Sequence, residues 1–468
     1  MRRYNLHLVP SLTDAGFTRR EALASMAAAV AAGCAPKTGP SGDSGAVIPA
    51  TIDHIIVVMF ENRSFDHFLG ALKLEEGRAV DGLDATMSNP DADGNPIAVH
   101  PAAVQCLFDP PHGWNSSHLQ WNGGANDRFV TEYIADGAPN PAEVMGYMTR
   151  ADLPVSYALA DAYTVCDRYF CSVMGPTWPN RFYGHAGTCE GQVDYNVAEG
   201  CAFTFPTVCN RLDEAGVAWK YYYTDLPFIG LFENGLKPGF YGMFEDFLYD
   251  CANGLLPAVS WVDPGFSYND DHPPHFVGLG QEFLGMLYQA LATSPQWNRC
   301  LLLVTYDEHG GFFDHVPPPT TEDDYAADGF DQMGFRIPVL AVGPFVKAGV
   351  VSDTLDNTSW LKLVCERFGI TPWTKRIEAA TSLAVVLDAD RMAADQPNPP
   401  AEVPLPDYDD DALGAECFGG GLGPTAPPPG TGPKRGLIAW IGQHYPHLDR
   451  RGDVVDRFAK LRKVFQGR

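Results

Sequence analysis

No Cys-x-x-Cys pair occurs in these 468 residues, although the chain carries 11 cysteines. That absence argues against a zinc knuckle. Basic residues are few: 32 Lys and Arg stand against 58 Asp and Glu, for a net charge of −26 and a pI near 4.7. A surface this acidic repels nucleic acid, so neither DNA nor RNA is an expected partner, and it repels anionic lipid for the same reason. Beyond the N-terminal segment no apolar run reaches the ~18 residues a membrane-spanning helix needs. Internal repeats are absent too. What remains is an ordinary globular balance, 45% hydrophobic and 19% charged, with ample material for a large core.

The first 34 residues have a logic of their own. Thr18-Arg19-Arg20 precedes Glu21-Ala22-Leu23 and then a small apolar run from Ala24 to Gly33, ending at Cys34. A twin-arginine pair, a short weakly hydrophobic stretch and small residues before a break read as an export signal. An amphipathic N-terminal helix with a chance Arg pair is the plainer alternative. Ala31-Ala32-Gly33-Cys34 also resembles a lipoprotein cleavage box, with Cys34 as the lipid attachment site, although Leu is commoner where Ala31 stands. Setting Cys34 aside leaves ten cysteines, an even number compatible with disulfides in an oxidising compartment. Buried free thiols are the alternative, above all for Cys300 at the start of an apolar strand.

Five stretches follow from composition: the export signal at 1–34, a Gly/Ser/Pro-rich linker at 35–50, a catalytic domain at 51–390, a Pro/Asp/Gly-rich loop or linker at 391–435 and a helical segment at 436–468. In that last stretch Val454, Val455, Phe458, Leu461 and Val464 predict an amphipathic helix packed back on the domain. Within the domain, Ile55–Phe60, Ala258–Val262, Leu301–Thr305 and Pro338–Val342 are continuous β-prone apolar runs. Strands buried on both faces of a parallel sheet read this way. Phe283, Leu287 and Leu291 recur at helical spacing between two of them and predict an amphipathic crossover helix. The fold class is α/β, a three-layer α/β/α sandwich.

Ligands of open α/β sheets bind beyond the carboxyl ends of the strands. Two of the apolar runs lead there into paired polar groups, Glu61-Asn62 and Asp307-Glu308, the second followed by Gly310-Gly311. Facing each other, the pairs would supply oxygen ligands to a hard cation, and the glycines would let the chain turn sharply beside it. Each pair alone reads more readily as a solvated strand end or a cap of the next helix; it is the two together, at equivalent strand ends, that point to a metal. Between them Gly175-Pro176-Thr177-Trp178-Pro179-Asn180-Arg181 places Thr177 at the start of a helix, where backbone N–H groups favour a phosphate. Thr177 is then either a metal-held nucleophile or simply a helix cap, and the residues alone leave both open. His112 and His272 sit in Pro-rich polar loops, suited to touching a phosphate or protonating a leaving oxygen, or else to plain exposed turns. His315 reads as structural.

Taken together, Glu61-Asn62-Arg63-Ser64-Phe65-Asp66-His67, the Gly175–Arg181 motif, Asp271-His272-Pro273 and the run Thr305–Val316 resemble the phosphoesterase family. That family includes bacterial phospholipase C, the plant non-specific phospholipase C enzymes and a bacterial acid phosphatase. The resemblance covers roughly residues 52–375. It implies an alkaline-phosphatase-like fold and one divalent metal ion surrounded by Glu61, Asn62, Thr177, Asp307 and Glu308. It further implies Thr177 as nucleophile and His112 and His272 as phosphate-binding residues. One position departs from the pattern: the family's Asp-His-Thr-Ser reads Asp356-Asn357-Thr358-Ser359 here. Asn cannot carry a proton, and the expectation is that this residue only caps a helix.

The expected activity is phospholipase C hydrolysis of phosphatidylcholine-type lipids to diacylglycerol and the phosphorylated head group. Membrane contact would come through substrate or lipid anchor. A broad-range periplasmic acid phosphatase acting on small phosphomonoesters is the alternative within the chemistry. A non-catalytic phosphate-binding lipoprotein is the alternative outside it. Thr177-Trp178-Pro179-Asn180-Arg181 echoes the Cys-x-Pro-x-Arg of sulfatases, but threonine cannot become formylglycine, which sets a sulfatase aside.

Overall fold

The computed structural model describes residues 51–195, 202–406, 408 and 433–466, with the side chains of 433–436 excepted. The expected export signal, the linker and most of the Pro/Asp/Gly-rich stretch, with Cys34, Cys201 and Cys417, lie outside the described residues.

Eight strands form the central sheet: β1 (His54–Phe60), β2 (Thr164–Cys166), β3 (Trp219–Tyr223), β4 (Tyr241–Met243), β5 (Val259–Val262), β6 (Cys300–Tyr306), β7 (Leu340–Val342) and β8 (Gly349–Val351). Their order is β8-β2-β7-β6-β1-β5-β3-β4. The middle of the sheet is parallel: β1 lies between β5 and β6, with Ile55 level with Val259 and Leu301. Three of the four strands read from sequence therefore form the buried centre, where β-branched residues meet helices on both faces.

The fourth strand read from sequence, β7, corrects the all-parallel expectation, because it pairs antiparallel with both β6 and β2. The cause lies in the long connection after β6. Arg336, just before β7, is bound to Asp66 and Asp314 beyond the ends of β1 and β6. The chain thus re-enters the sheet from the end at which β6 left it, and must run backwards.

Helices cover both faces, so the three-layer expectation holds. On one face α4 (Thr177–Ala186) and α7 (Ser359–Phe368) pack together, the Trp360 indole donating to the Gly184 carbonyl at 3.0 Å. Met59 of β1 and Trp261 of β5 sit against Gly184 on that face. On the other face Phe60 meets Phe283 of α6 (Val277–Ala292) edge-on at 5.8 Å. That helix is the crossover read from sequence, yet it is buried almost all round rather than amphipathic. A second layer covers it: Gln281 accepts from the first N–H groups of α3 (Pro154–Ala162), and Phe458 of α9 (Val454–Phe465) packs on Phe283. The terminal helix does fold back on the domain, with Arg462 held to the buried carboxylate of Glu282 at 2.5 Å.

Among the cysteines, Cys106 is disulfide-bonded. Cys166, Cys171, Cys189, Cys209, Cys251, Cys300 and Cys365 are buried free thiols. The all-disulfide expectation is thus corrected for these seven, and Cys300 is the free strand thiol that its setting suggested. Burial pushes the thiols up, Cys365 to about 12, and leaves them inert. Among the described residues no helix is long and apolar enough to cross a membrane.

Candidate active site

Glu61 and Asn62 follow β1 directly, and Asp307 and Glu308 follow β6. Because these strands are parallel neighbours, both pairs emerge at the same edge. Backbone contacts then lock them together. The Asn62 N–H donates to Asp307 Oδ1 at 3.0 Å, and the Arg63 N–H donates to the Glu308 carbonyl at 3.0 Å. Asn62 has φ 62°, a left-handed conformation that Asn tolerates better than most residues. Gly310 follows with φ +66°, and a Cβ there would lie 2.1 Å from the Asn62 carbonyl oxygen. Only glycine lets these loops approach so closely.

Thr177 opens α4, but it is not the cap. Pro176 occupies that position, with no side-chain cap. The Thr177 hydroxyl points instead toward Asn62, its Oγ1 3.5 Å from Oδ1. The turn presenting it is held by Asn180, whose amide donates to the carbonyls of Val173, Gly175 and Pro176 and accepts from the Val173 N–H. One helical turn beyond Thr177, Arg181 extends along the same face. Its Nε lies 3.2 Å from Glu61 and 3.6 Å from Asp307, while Nη1 donates to Asp263 at 3.0 Å.

The two loop histidines are brought in as well. Pro110 accepts from His112 Nδ1 at 2.7 Å, which fixes the proton there and turns Nε2 toward Asn62 Nδ2 at 3.1 Å and Glu308 at 3.8 Å. His272 is held in the same way by the Pro273 carbonyl at 2.5 Å. The two rings stand edge to face with centroids 5.8 Å apart. Asp109 joins them, its ligand oxygen within 4.8 Å of an imidazole nitrogen of each. Glu61, Asn62, Thr177, Asp307, Glu308, His112 and His272 thus converge on one region, all of them buried.

Electrostatics shape the region. Glu61, Asp263, Asp307 and Glu308 are each no more than 1% exposed, and Arg181 is the guanidinium among them. Burial pushes Asp263 up to about 7 against the opposing charge of Arg181. Burial, and then the charge of Asp307, push Glu308 well above the carboxylate range. Asp307 Oδ2 and Glu308 Oε1 accept no hydrogen bond among the described residues. Four buried carboxylates, three of them facing the one guanidinium of Arg181, with oxygens left over, suit a hard divalent ion, whose charge would offset the excess. The donor set fits.

Sequence reasoning missed several contributors. Asp263 stands at the end of β5, at the same edge as the acidic pairs, and that position was the available signal. Arg181 lies inside the Gly175–Arg181 motif, but nothing local announces its three carboxylates. The expectation that Asn357 caps a helix is corrected. Its amide donates to the Asp307 carbonyl at 2.9 Å, while Thr358 takes the cap position of α7. His315 is structural, as read: it is bound to Asp66 at 2.6 Å beside Arg336, and it anchors the loop after Glu308.

A family model described as the Phosphoesterase family matches residues 52–371. Phospholipase C B of Mycobacterium tuberculosis (strain ATCC 25618 / H37Rv) is 34% identical over 432 residues, covering 76% of this chain and 82% of that protein. Non-specific phospholipase C1 of Arabidopsis thaliana is 36% identical over 337 residues, covering 65% of this chain and 63% of that protein. Among solved structures, an alkaline phosphatase superfamily protein from Vibrio parahaemolyticus matches with a TM-score of 0.35 at 12% identity, over 65% of this chain and 75% of that one.

Proposed function

Because the chain belongs to the Phosphoesterase family and is a hydrolase of phosphoric esters, we propose that it is an exported phospholipase C that cleaves phosphatidylcholine-type lipids through Thr177. The observation that carries this reading is the Thr177 hydroxyl. It is free of capping duty at the first turn of α4, and it faces Asn62, whose own backbone is bound to Asp307 of the acidic cluster.

Glu61, Asn62, Asp307 and Glu308, with Thr177, would hold a divalent ion, which supplies Lewis-acid polarisation and lowers the pKa of a hydroxyl. Thr177, its hydroxyl proton passing to solvent, attacks phosphorus through Oγ. The new bond is Oγ–P, the bond that breaks joins phosphorus to the diacylglycerol oxygen, and that oxygen takes up a proton. His112 and His272 each commit Nδ1 to a backbone carbonyl, so that Nε2, when it carries a second proton, is the atom left to hold a phosphoryl oxygen or to supply that proton. Water then attacks the phosphothreonine, releasing the phosphorylated head group and restoring the hydroxyl. Arg181 stays locked among its three carboxylates and keeps them in place.

A zwitterionic lipid suits a protein of net charge −26 better than an anionic one does. The relatives named phospholipase C support the lipid reading. Export by the twin-arginine route, with a lipid anchor at Cys34, accords with the disulfide at Cys106, a bond that persists in oxidising compartments.

The test measures phosphocholine and free phosphate released from phosphatidylcholine and from p-nitrophenyl phosphate, across several divalent metals, with Thr177→Ala as control. Phosphocholine release that the substitution abolishes is expected. Free phosphate from the small ester alone would make the enzyme a phosphomonoesterase. Silence on both would overturn the catalytic assignment.

A further inference from the structure

Tyr195 belongs to none of the motifs above, yet its hydroxyl is in the site. The oxygen is buried, lies in interaction range of the Thr177 hydroxyl and is close enough to Glu308, Asp109 and Asp307 to feel their charges. Among the described residues no hydrogen bond of directed geometry reaches it. The ring meets Trp178, the residue after Thr177, edge-on at 5.9 Å. That contact fixes where the hydroxyl points, and a phenylalanine would make it equally well. The hydroxyl is therefore not explained by packing, and a buried hydroxyl left without a directed hydrogen bond is costly.

The chemistry of the neighbourhood identifies the missing partner. A phosphoryl group that reaches Thr177 brings oxygens carrying negative charge to a place walled by Glu308, Asp307 and Asp109. Such a group is held only where donors face its oxygens. A phenol is neutral at physiological pH, with an ordinary pKa of about 10, and offers one O–H donor and no repelling charge. We infer that Tyr195 is a further catalytic residue, whose hydroxyl donates a hydrogen bond to a non-bridging oxygen of the phosphoryl group as Thr177 attacks. The proton stays on Tyr195 throughout; the bond strengthens as charge gathers on those oxygens. This inference rests on the proposed role of Thr177.

The experiment uses the metal-loaded enzyme and Tyr195→Phe, which removes one oxygen and keeps the ring. Expected are an unchanged melting temperature, a kcat lower by roughly 10²-fold, a KM within a few-fold, and orthovanadate inhibition weakened by a similar factor, because vanadate mimics the pentacoordinate phosphoryl group. Tyr195→His, which keeps a ring and an N–H donor, is expected to recover part of the rate, and it serves as the comparison should the Phe variant melt early. A Phe variant with wild-type kcat and wild-type vanadate inhibition overturns the inference, as does a His variant no faster than Phe at equal melting temperature. Loss of rate with unchanged vanadate affinity also overturns it, since Tyr195 would then act only through Thr177. If wild-type protein turns over no phosphoester, or Thr177→Ala leaves the rate intact, it is the functional assignment that fails instead.

Discussion

Arg181 donates from α4 to Asp263 at the end of β5 across 3.0 Å, with both side chains fully buried. The same guanidinium faces Glu61 and Asp307. One helix, the one that presents Thr177, therefore supplies the fixed positive charge that lets acids from β1, β5 and β6 stand together.

Removing that charge leaves buried carboxylates uncompensated. Arg181→Ala is expected to lower metal-free stability by about 3–5 kcal/mol. Because a divalent ion would offset part of the excess, the loss should shrink in saturating metal. Urea denaturation of both proteins with metal and with chelator measures it. An equal loss in both conditions would show that the ion does not share the cluster with Arg181.

Chelation should also act on the wild type. An ion that binds only the folded state at 100 times its Kd adds about 2.7 kcal/mol. Treatment with EDTA is therefore expected to lower the melting temperature and abolish turnover, with both restored by the same metal. Melting that is indifferent to chelator would contradict a metal held by these carboxylates.

Gly310→Ala tests the close approach of the two acidic loops. An added Cβ would lie 2.1 Å from the Asn62 carbonyl, at a residue whose φ of +66° already disfavours a side chain. The loops must separate, and displacement by even 1 Å costs about 10²-fold in rate. Loss of that order, with a lowered melting temperature, is expected. Unimpaired kcat/KM would mean that the two loops need not touch during catalysis.

Asn357 binds the backbone of a proposed metal ligand, Asp307, rather than capping a helix. Asn357→Leu leaves that buried carbonyl unpaired, at a cost of about 1–3 kcal/mol, and frees Asp307 to shift. Weaker metal binding by isothermal titration is expected, roughly tenfold for each 1.4 kcal/mol of the cost that falls on the metal-bound state. Unchanged affinity would confine the residue to a role in stability.

The acidic pairs were legible in the sequence because each ends a continuous apolar strand, and strand ends of a parallel sheet share an edge. Asp263 obeys the same rule but stands alone after its strand, without the paired pattern that drew notice to the others. Strand direction is not written locally. The run that becomes β7 looks like its neighbours, and it is antiparallel only because Arg336 binds Asp66 and Asp314 at the far end of a loop. Edge strands such as Gly349–Val351 are three residues long and leave no periodicity to read. The crossover helix showed its inner face clearly. Its outer face is covered by Phe458, some 175 positions later, a tertiary fact. Tyr195 is the extreme case: its neighbours, Thr177 and Glu308, come near it only through folding.

His315 offers a pH test away from the catalytic groups. Burial alone would lower its pKa, but the hydrogen bond and charge of Asp66 outweigh burial and raise it. Burial would raise Asp66, yet the charge of Arg336, with help from His315, holds it below the usual carboxylate value. The imidazolium therefore stabilises the fold fully below its unfolded pKa of about 6.5, and that contribution fades as pH rises through the higher folded value. The Asp66 carboxylate contributes above about 3.9 and fades as pH falls through its depressed folded value. Between those limits both contributions are present. His315→Gln should then cost about 2 kcal/mol near pH 5.5 and less as pH rises through the raised folded value, where the wild-type imidazole loses its proton too. Chemical denaturation of the two proteins across pH 5–9 reads the difference directly. A gap that stays constant over that range would mean that His315 anchors the loop as a neutral ring and that the ion pair with Asp66 adds nothing.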